Sequence, residues 1–338
     1  MFGASKRTSI VKGAAVLVSG GLLLSACAGS GDDGTDPGGD DAEGIRVGVV
    51  LAGPRNDGAF YQSYLDGVIA HEEDYSLEIS VVDNVEDPQA AIDAFTNLAT
   101  DNDLIIAGGS ALVPAGNTVA PQFPDVHFVM SGVVTEGVAN LHTYATRQGV
   151  PAYVAGVIAA ELSSSGVVGY VGGADIPPNA QSLVDFEAGA LAGDAGIEVV
   201  STTVGSFSDA AAAKEATAAQ IANGADVIYA FQDAGLPGVL DAIEESGNQI
   251  PVFNPTTDRC EESEHLAGYA YQNTTVMVSE IVENYVAGEL PSEPRFYALE
   301  DPNIQALRLC PAFDEYEDLA QETTDAINSG SITMPEGG

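Results

Sequence analysis

The residues best equipped for chemistry in this chain are flat rings set beside hydrogen-bonding groups. "NDGAFYQ", residues 56–62, follows the apolar run "IRVGVVLAGP" and places Asn56, Asp57, Phe60 and Tyr61 together. Further along, Ser110 follows "DLIIAGG", Phe207 lies within "GSFSD", and Phe231 and Asp233 close "ADVIYAFQD". Asp258 and Gln272 come after the apolar run "IPVF". Each aromatic face contributes about 1–3 kcal/mol to a stacked base, and carboxylates accept from neighbouring hydroxyls. This is the chemistry of binding. The four histidines, at 71, 127, 142 and 265, show no pair at metal-ligand spacing, so no metal site is expected. Neither a GxSxG elbow nor a P-loop occurs, and "GYVGGAD" lacks the spacing of a dinucleotide fingerprint. No catalytic residue and no cofactor is expected. Each candidate also has a plainer role open to it. Phe60 and Phe207 would serve in core packing, Ser110 and Asp233 as helix caps, Gln272 as a helix start, and Asp258 as a partner of Arg259 or of solvent.

The elements that carry these residues alternate regularly. Strands are expected over 45–52, 77–83, 103–108 and 126–132, with helices over 59–73, 87–100 and 112–123 between them. Asp87 and Pro88 make a cap and first-turn pair. The pattern then restarts. Helix 148–163 has a small-residue face; strands follow at 166–173, 197–207, 225–232 and 250–254, with helices at 179–196, 208–224 and 235–247, the second of them capped by Ser208. A long helix is expected over 270–290, then short strands and a final helix that return to both halves. Near-continuous apolar strands separated by helices mean parallel sheets covered on both faces. Such sheets bind ligands at the carboxyl ends of their strands, and the candidates all follow strands. They converge only if the two halves face each other across a cleft.

The ends and the composition set the compartment. Lys6, Arg7 and Lys12 precede the apolar run "GAAVLVSGGLLLSA", too short to span a membrane and laid out as a secretory signal over residues 1–26. It closes on "LSAC", a bacterial lipobox in which Cys27 is lipidated. "AGSGDDGTDPGGDDAEG", residues 28–44, buries no apolar area and is expected to be a disordered tether. Lys and Arg number 10 against 50 Asp and Glu, a net charge of −40. Such a surface repels nucleic acid and anionic lipid, so both are poorly matched as partners. Cys260 and Cys310 remain as an even pair in an oxidising compartment, and a disulfide is expected, with two buried thiols as the alternative.

The lipobox, "NDGAFYQSYLDGV", "DLIIAGGSALVPAGNTVAPQFPDVHFV", "AGVIAAELSSSGVVGYVGGADIPPNAQSLVDFEAG", "VGSFSDAAAAKEAT" and "GADVIYAFQDAGLPGVLDAIEE" together resemble the basic-membrane-protein family of bacterial lipoproteins, which includes purine-nucleoside receptors. The resemblance covers roughly residues 45–290. It implies an α/β, two-lobed periplasmic-binding-protein fold of type I, ribose-binding-like, each lobe a parallel sheet flanked by helices. Lobe one would hold 45–146 with about 273–295, and lobe two 147–272 with about 296–330. It implies a monomeric solute receptor, lipid-anchored on the outer face of the cell membrane, that delivers its ligand to an ABC permease. In that family two aromatics sandwich a purine. Phe60 matches the first; Phe207 is taken as the second, with Phe231 as the other candidate. Asn56, Asp57, Ser110, Asp233 and Gln272 stand where polar groups hold base and ribose. The chain departs from the family in reading Ala59-Phe60-Tyr61 for Ser-Phe-Asn, and "VFNPTTDRC" where a Gly-x-Asp stretch is usual, so that Asp258 comes late and Asn254 stands nearer the expected place. The same rim would suit a pentose or other small sugar, and a sensory lipoprotein is the alternative from another class.

Overall fold

After Arg46, every residue of strand β1 (Arg46–Leu51) is buried, so both faces of the strand are covered. The computed structural model describes residues 44–335 apart from Gly58, Ala59, Glu86 and Val133. The expected signal peptide, Cys27 and the tether up to residue 43 lie outside the described residues. The chain continues through α1 (Phe60–Ile69), β2 (Glu78–Val82), α2 (Pro88–Ala99), β3 (Leu104–Gly108), α3 (Val113–Val119), β4 (His127–Met130) and β5 (Leu141–Thr146). It then runs through α4 (Gly149–Leu162), β6 (Val167–Gly172), α5 (Pro177–Gly193), β7 (Glu198–Thr203), α6 (Ala210–Ala222), β8 (Val227–Phe231), α7 (Leu236–Ser246), β9 (Val252–Thr256) and β10 (Leu266–Gln272). The last elements are α8 (Thr274–Ala287), β11 (Arg295–Tyr297), β12 (Gln305–Leu309) and α9 (Glu317–Asn328).

Among the described residues the strands form two six-stranded sheets, ordered β2-β1-β3-β4-β5-β11 and β7-β6-β8-β9-β10-β12. All pairs are parallel except β10 with β12. This is the expected two-lobed α/β architecture. The edges are polar: β2 exposes Glu78 and Ser80, and β7 exposes Ser201, Thr202 and Thr203. The helix caps follow local chemistry. Asp87 accepts from the backbone N–H groups of Gln89 and Ala90 at 2.9 and 3.0 Å, with Pro88 opening α2.

Several elements differ from the sequence-based expectation. The strand β5 was not expected. Residues 266–272, expected in part as helix, form β10, because the stretch pairs with β9 on one side and β12 on the other. Tertiary pairing of this kind outweighs local preference. The helix begins only at Thr274, where the Asn273 side chain accepts from Val276 N. Helix α6 is capped by Asp209, whose carboxylate accepts from Ala212 N, and not by Ser208. Strand β7 ends at Thr203 because Gly205, at φ +88°, turns the chain.

The chain passes between the sheets at Arg147–Gln148, at Asn273 and across residues 298–304. The first two passages leave directly from the carboxyl ends of β5 and β10. The carboxyl ends of both sheets therefore border the same interlobe space. In lobe two, α4 and α5 approach closely: a Cβ on Gly156 would meet Phe186 O, and one on Gly189 would meet Tyr153 O. The small-residue face of α4 serves this contact. Cys260 and Cys310 form a disulfide, with Cα atoms 5.5 Å apart, tying the loop after β9 to the end of β12.

Candidate functional site

On lobe one the rim is built from the loop after β1. Arg55 fixes that loop to the end of β2, donating from its backbone N at 3.1 Å and from Nη2 at 2.6 Å to the Asp83 carboxylate. The guanidinium holds the Asp83 carboxyl below the usual carboxylate range. Asn56 and Asp57 follow, both exposed. The Asp57 carboxylate accepts from Tyr61 N and Gln62 N at 3.1 and 3.0 Å, which places a negative group at the start of α1. Phe60 is half-buried and meets Tyr61 and Tyr64 edge-on, with ring centroids 5.3 and 5.2 Å away. It packs in part on the lobe-one core. Tyr61 lies over Gly53, where a Cβ would collide with the ring, and beside Gly109. Gly109, at φ +117°, is held by Ser131 Oγ accepting from its N–H at 2.8 Å. Ser110 opens the short 3₁₀ turn that follows, with Gly109 in the cap position.

On lobe two the loops after β7 and β8 are joined. Phe207 O accepts from Asp233 N and Gly235 N at 3.0 and 2.9 Å. The Phe207 ring lies against Gly173 and 5.9 Å from the Phe231 ring, tilted by 52°. Phe207 is half-buried, whereas Phe231 is only 6% exposed. Asp233 is exposed; its carbonyl accepts from Arg259 Nη1 at 3.1 Å. Arg259 pairs with Glu262 at 2.6 Å, not with Asp258. Asp258 accepts from Cys260 N at 3.0 Å and Tyr269 OH at 3.3 Å. Burial, and then the Asp258 charge, push the Tyr269 hydroxyl above the ordinary tyrosine range. Asn254 is buried and turned onto its own loop, donating to Pro255 O and Thr257 O.

The structure thus gathers the candidates into two groups. Asp57, Phe60 and Tyr61 form one; Phe207, Phe231 and Asp233 form the other, with Arg259 as an unforeseen member. Gln272 sits at the passage between the lobes, where its carboxamide accepts from Gln148 at 2.9 Å and donates to Thr274 Oγ1 at 3.3 Å. Gln232, beside Phe231, is 2% exposed, and neither amide atom has a protein hydrogen-bond partner. Its position after a strand was the only sequence signal for it. Among the described residues no cluster of His, Cys, Asp and Glu suits a metal ion. Rings at the rim offer stacking faces, and the exposed carboxylates offer acceptors for hydroxyls.

Residues 45–319 match the family described as ABC transporter substrate-binding protein PnrA-like, abbreviated Bmp. The chain belongs to the Bmp family. Its Bmp relatives include a purine-binding protein of Brucella abortus (strain 2308), 25% identical over 301 residues, covering 86% of this chain and 83% of that one. The nucleoside-binding protein BmpA of Lactococcus lactis subsp. cremoris is 24% identical over 352 residues, covering 96% of this chain and 98% of that one. The Bmp fold is also that of a solute-binding protein from Aeropyrum pernix K1, at TM-score 0.72 and 18% identity over 86% of this chain and 94% of that one. As a Bmp protein, the chain is the extracytoplasmic substrate-binding component of an ABC importer, which takes a small-molecule ligand and works with a permease. Among the described residues, no helix is long and apolar enough to cross a membrane.

Proposed function

We propose that this Bmp protein binds a purine nucleoside or nucleobase between its lobes and closes on it by hinge motion. Lobe one holds residues 45–146 with about 273–297, and lobe two holds 147–272 with about 298–330. The observation that carries the reading is the pairing of aromatic rims at the carboxyl ends of both sheets, on a chain whose relatives include purine- and nucleoside-binding proteins. Phe60 supplies one stacking face. Phe207 supplies the other, because it is the more accessible of the two lobe-two rings; Phe231 backs it. Two stacked faces at about 1–3 kcal/mol each leave several hydrogen bonds to reach the roughly −8 kcal/mol of a micromolar complex. Asn56, Asp57, Tyr61, Ser110, Asp233, Asp258 and Gln272 are the polar candidates. The chain acts as a monomer without catalysis or cofactor, anchored through Cys27 to the outer face of the cell membrane.

The test is thermal unfolding of the purified protein, first unfolded and refolded to strip carried-over solute, against nucleosides, free bases and sugars. A rise with adenosine, guanosine or inosine that disappears in Phe60→Ala supports the stacked-purine site. A response to ribose or another sugar alone would retain the receptor and discard the purine.

A further inference from the structure

Each of the three passages between the lobes contributes one glutamine to a single cluster. Gln148 stands in the first passage, Gln272 ends β10 at the second, and Gln305 opens β12 after the third. Gln148 Nε2 donates to Gln272 Oε1 at 2.9 Å. Gln305 Nε2 donates to Arg147 O at 3.0 Å. The backbone joins the same passages, through Arg147 N to Tyr297 O and Asn273 N to Ile304 O, both 2.7 Å. All three glutamines line one cavity of about 10 Å³ together with Phe231, the ring that backs Phe207. Gln305 is 2% exposed, yet its Oε1 has no protein hydrogen-bond partner. A buried acceptor that the protein leaves unused costs about 1–3 kcal/mol unless another group takes it up, and the other two glutamines line the same cavity.

We propose that Gln148, Gln272 and Gln305 are the clasp of the interlobe hinge and set the balance between open and closed forms. In the arrangement described here Gln148 donates to Gln272. When the passages rotate, the idle Gln305 Oε1 is the acceptor to which the Gln148 amide turns. Carboxamides suit such an exchange, because each both donates and accepts and none carries a charge that must be stripped of water. Gln148 and Gln305 are positioning residues: they act on the ligand only through the lobe angle. The proposal rests on the reading that the lobes close about these passages, and it does not depend on which solute is bound.

The test uses the full chain without ligand, with one fluorophore on the outer surface of each lobe, and records interlobe distances by single-molecule energy transfer. Gln305→Leu should shift the open-to-closed ratio about fivefold toward the arrangement described here, the equivalent of one hydrogen bond, whereas Gln148→Leu, which loses one bond in each arrangement, should shift it less. The double variant should shift it by less than the product of the two, because both remove the same exchange. Unchanged distances in both single variants would overturn the clasp, as would independent effects in the double variant. Should Gln305→Leu not fold, Gln272→Leu decides: it removes the acceptor used in the arrangement described here and should shift the ratio about fivefold the other way, and wild-type distances would overturn the clasp. Because no ligand is present, failure of the purine reading leaves this outcome intact.

Discussion

The two lobes share one plan and differ in how they hold their rims. Strand for strand, β2-β1-β3-β4-β5 repeats as β7-β6-β8-β9-β10. The sixth strand breaks the likeness, since β11 runs parallel to β5 while β12 runs antiparallel to β10. Lobe one sets its rings on the first turn of a helix, and holds the preceding loop with a half-buried ion pair, Arg55–Asp83. Lobe two sets its rings at strand ends, and secures neighbouring loops with Phe207 O, Arg259 and a disulfide. A common frame therefore tolerates two rim designs, one locally capped and one cross-braced. The cross-braced rim should be the costlier to disturb.

The largest expected effect comes from removing the lobe-two brace. Replacing Cys260 and Cys310 with Ser opens a loop with a sequence separation of 50, and the chain-entropy model puts the loss at about 4 kcal/mol. Denaturant titration of oxidised wild type and the variant measures it; equal midpoints would remove the brace from the comparison. Next is the close helix contact. Gly189→Ala drives a methyl into Tyr153 O, whereas Gly67→Ala in α1 would bring one to 2.7 Å from Thr275 O. A loss of about 3 kcal/mol is expected for Gly189 and about 1–2 for Gly67. The reverse order would show lobe one to be the more tightly packed.

Asp185 sharpens the contrast through pH. It is fully buried on α5, accepts from Gln181 at 3.0 Å, and is pushed up to about 6, chiefly by burial. A raised carboxyl pKa means that the folded state binds the extra proton, so stability falls as pH rises from about 4 to about 6 and is level above. Asp185→Asn should gain on the order of 2 kcal/mol at pH 8 and nothing at pH 3.5. Thermal unfolding across that range checks it, and a gain that persists in acid would refute the assignment. The smallest effect belongs to lobe one. Arg55→Gln should cost about 1 kcal/mol or less, because the Arg55 side chain is 41% exposed and solvent screens the pair. Its mark should instead be faster hydrogen exchange in residues 53–57.

Much of this was legible in the sequence, and the exceptions have physical causes. Continuous apolar runs such as 104–108 carry their own signal for a covered strand, and Asp87-Pro88 for a helix start. Residues 266–272 do not, because their strand exists only through partners at 252–256 and 305–309. Asp57 carries no local sign that its carboxylate also accepts from the first-turn N–H groups of α1. Arg259 and Gln305 gave no local sign, since their partners, Asp233 O and Arg147 O, lie 26 and 158 residues away in sequence.

The polar edges of the sheets bear on life at high density. An importer's receptors crowd one surface, where an open strand edge would invite a neighbour to pair with it. Here β2 and β7 present Glu78, Ser80 and the Ser201–Thr203 stretch, and β11 is three residues long with an exposed Arg295. The exposed charges on β2 and β11 and the shortness of β11 make these margins poor templates for a neighbouring copy.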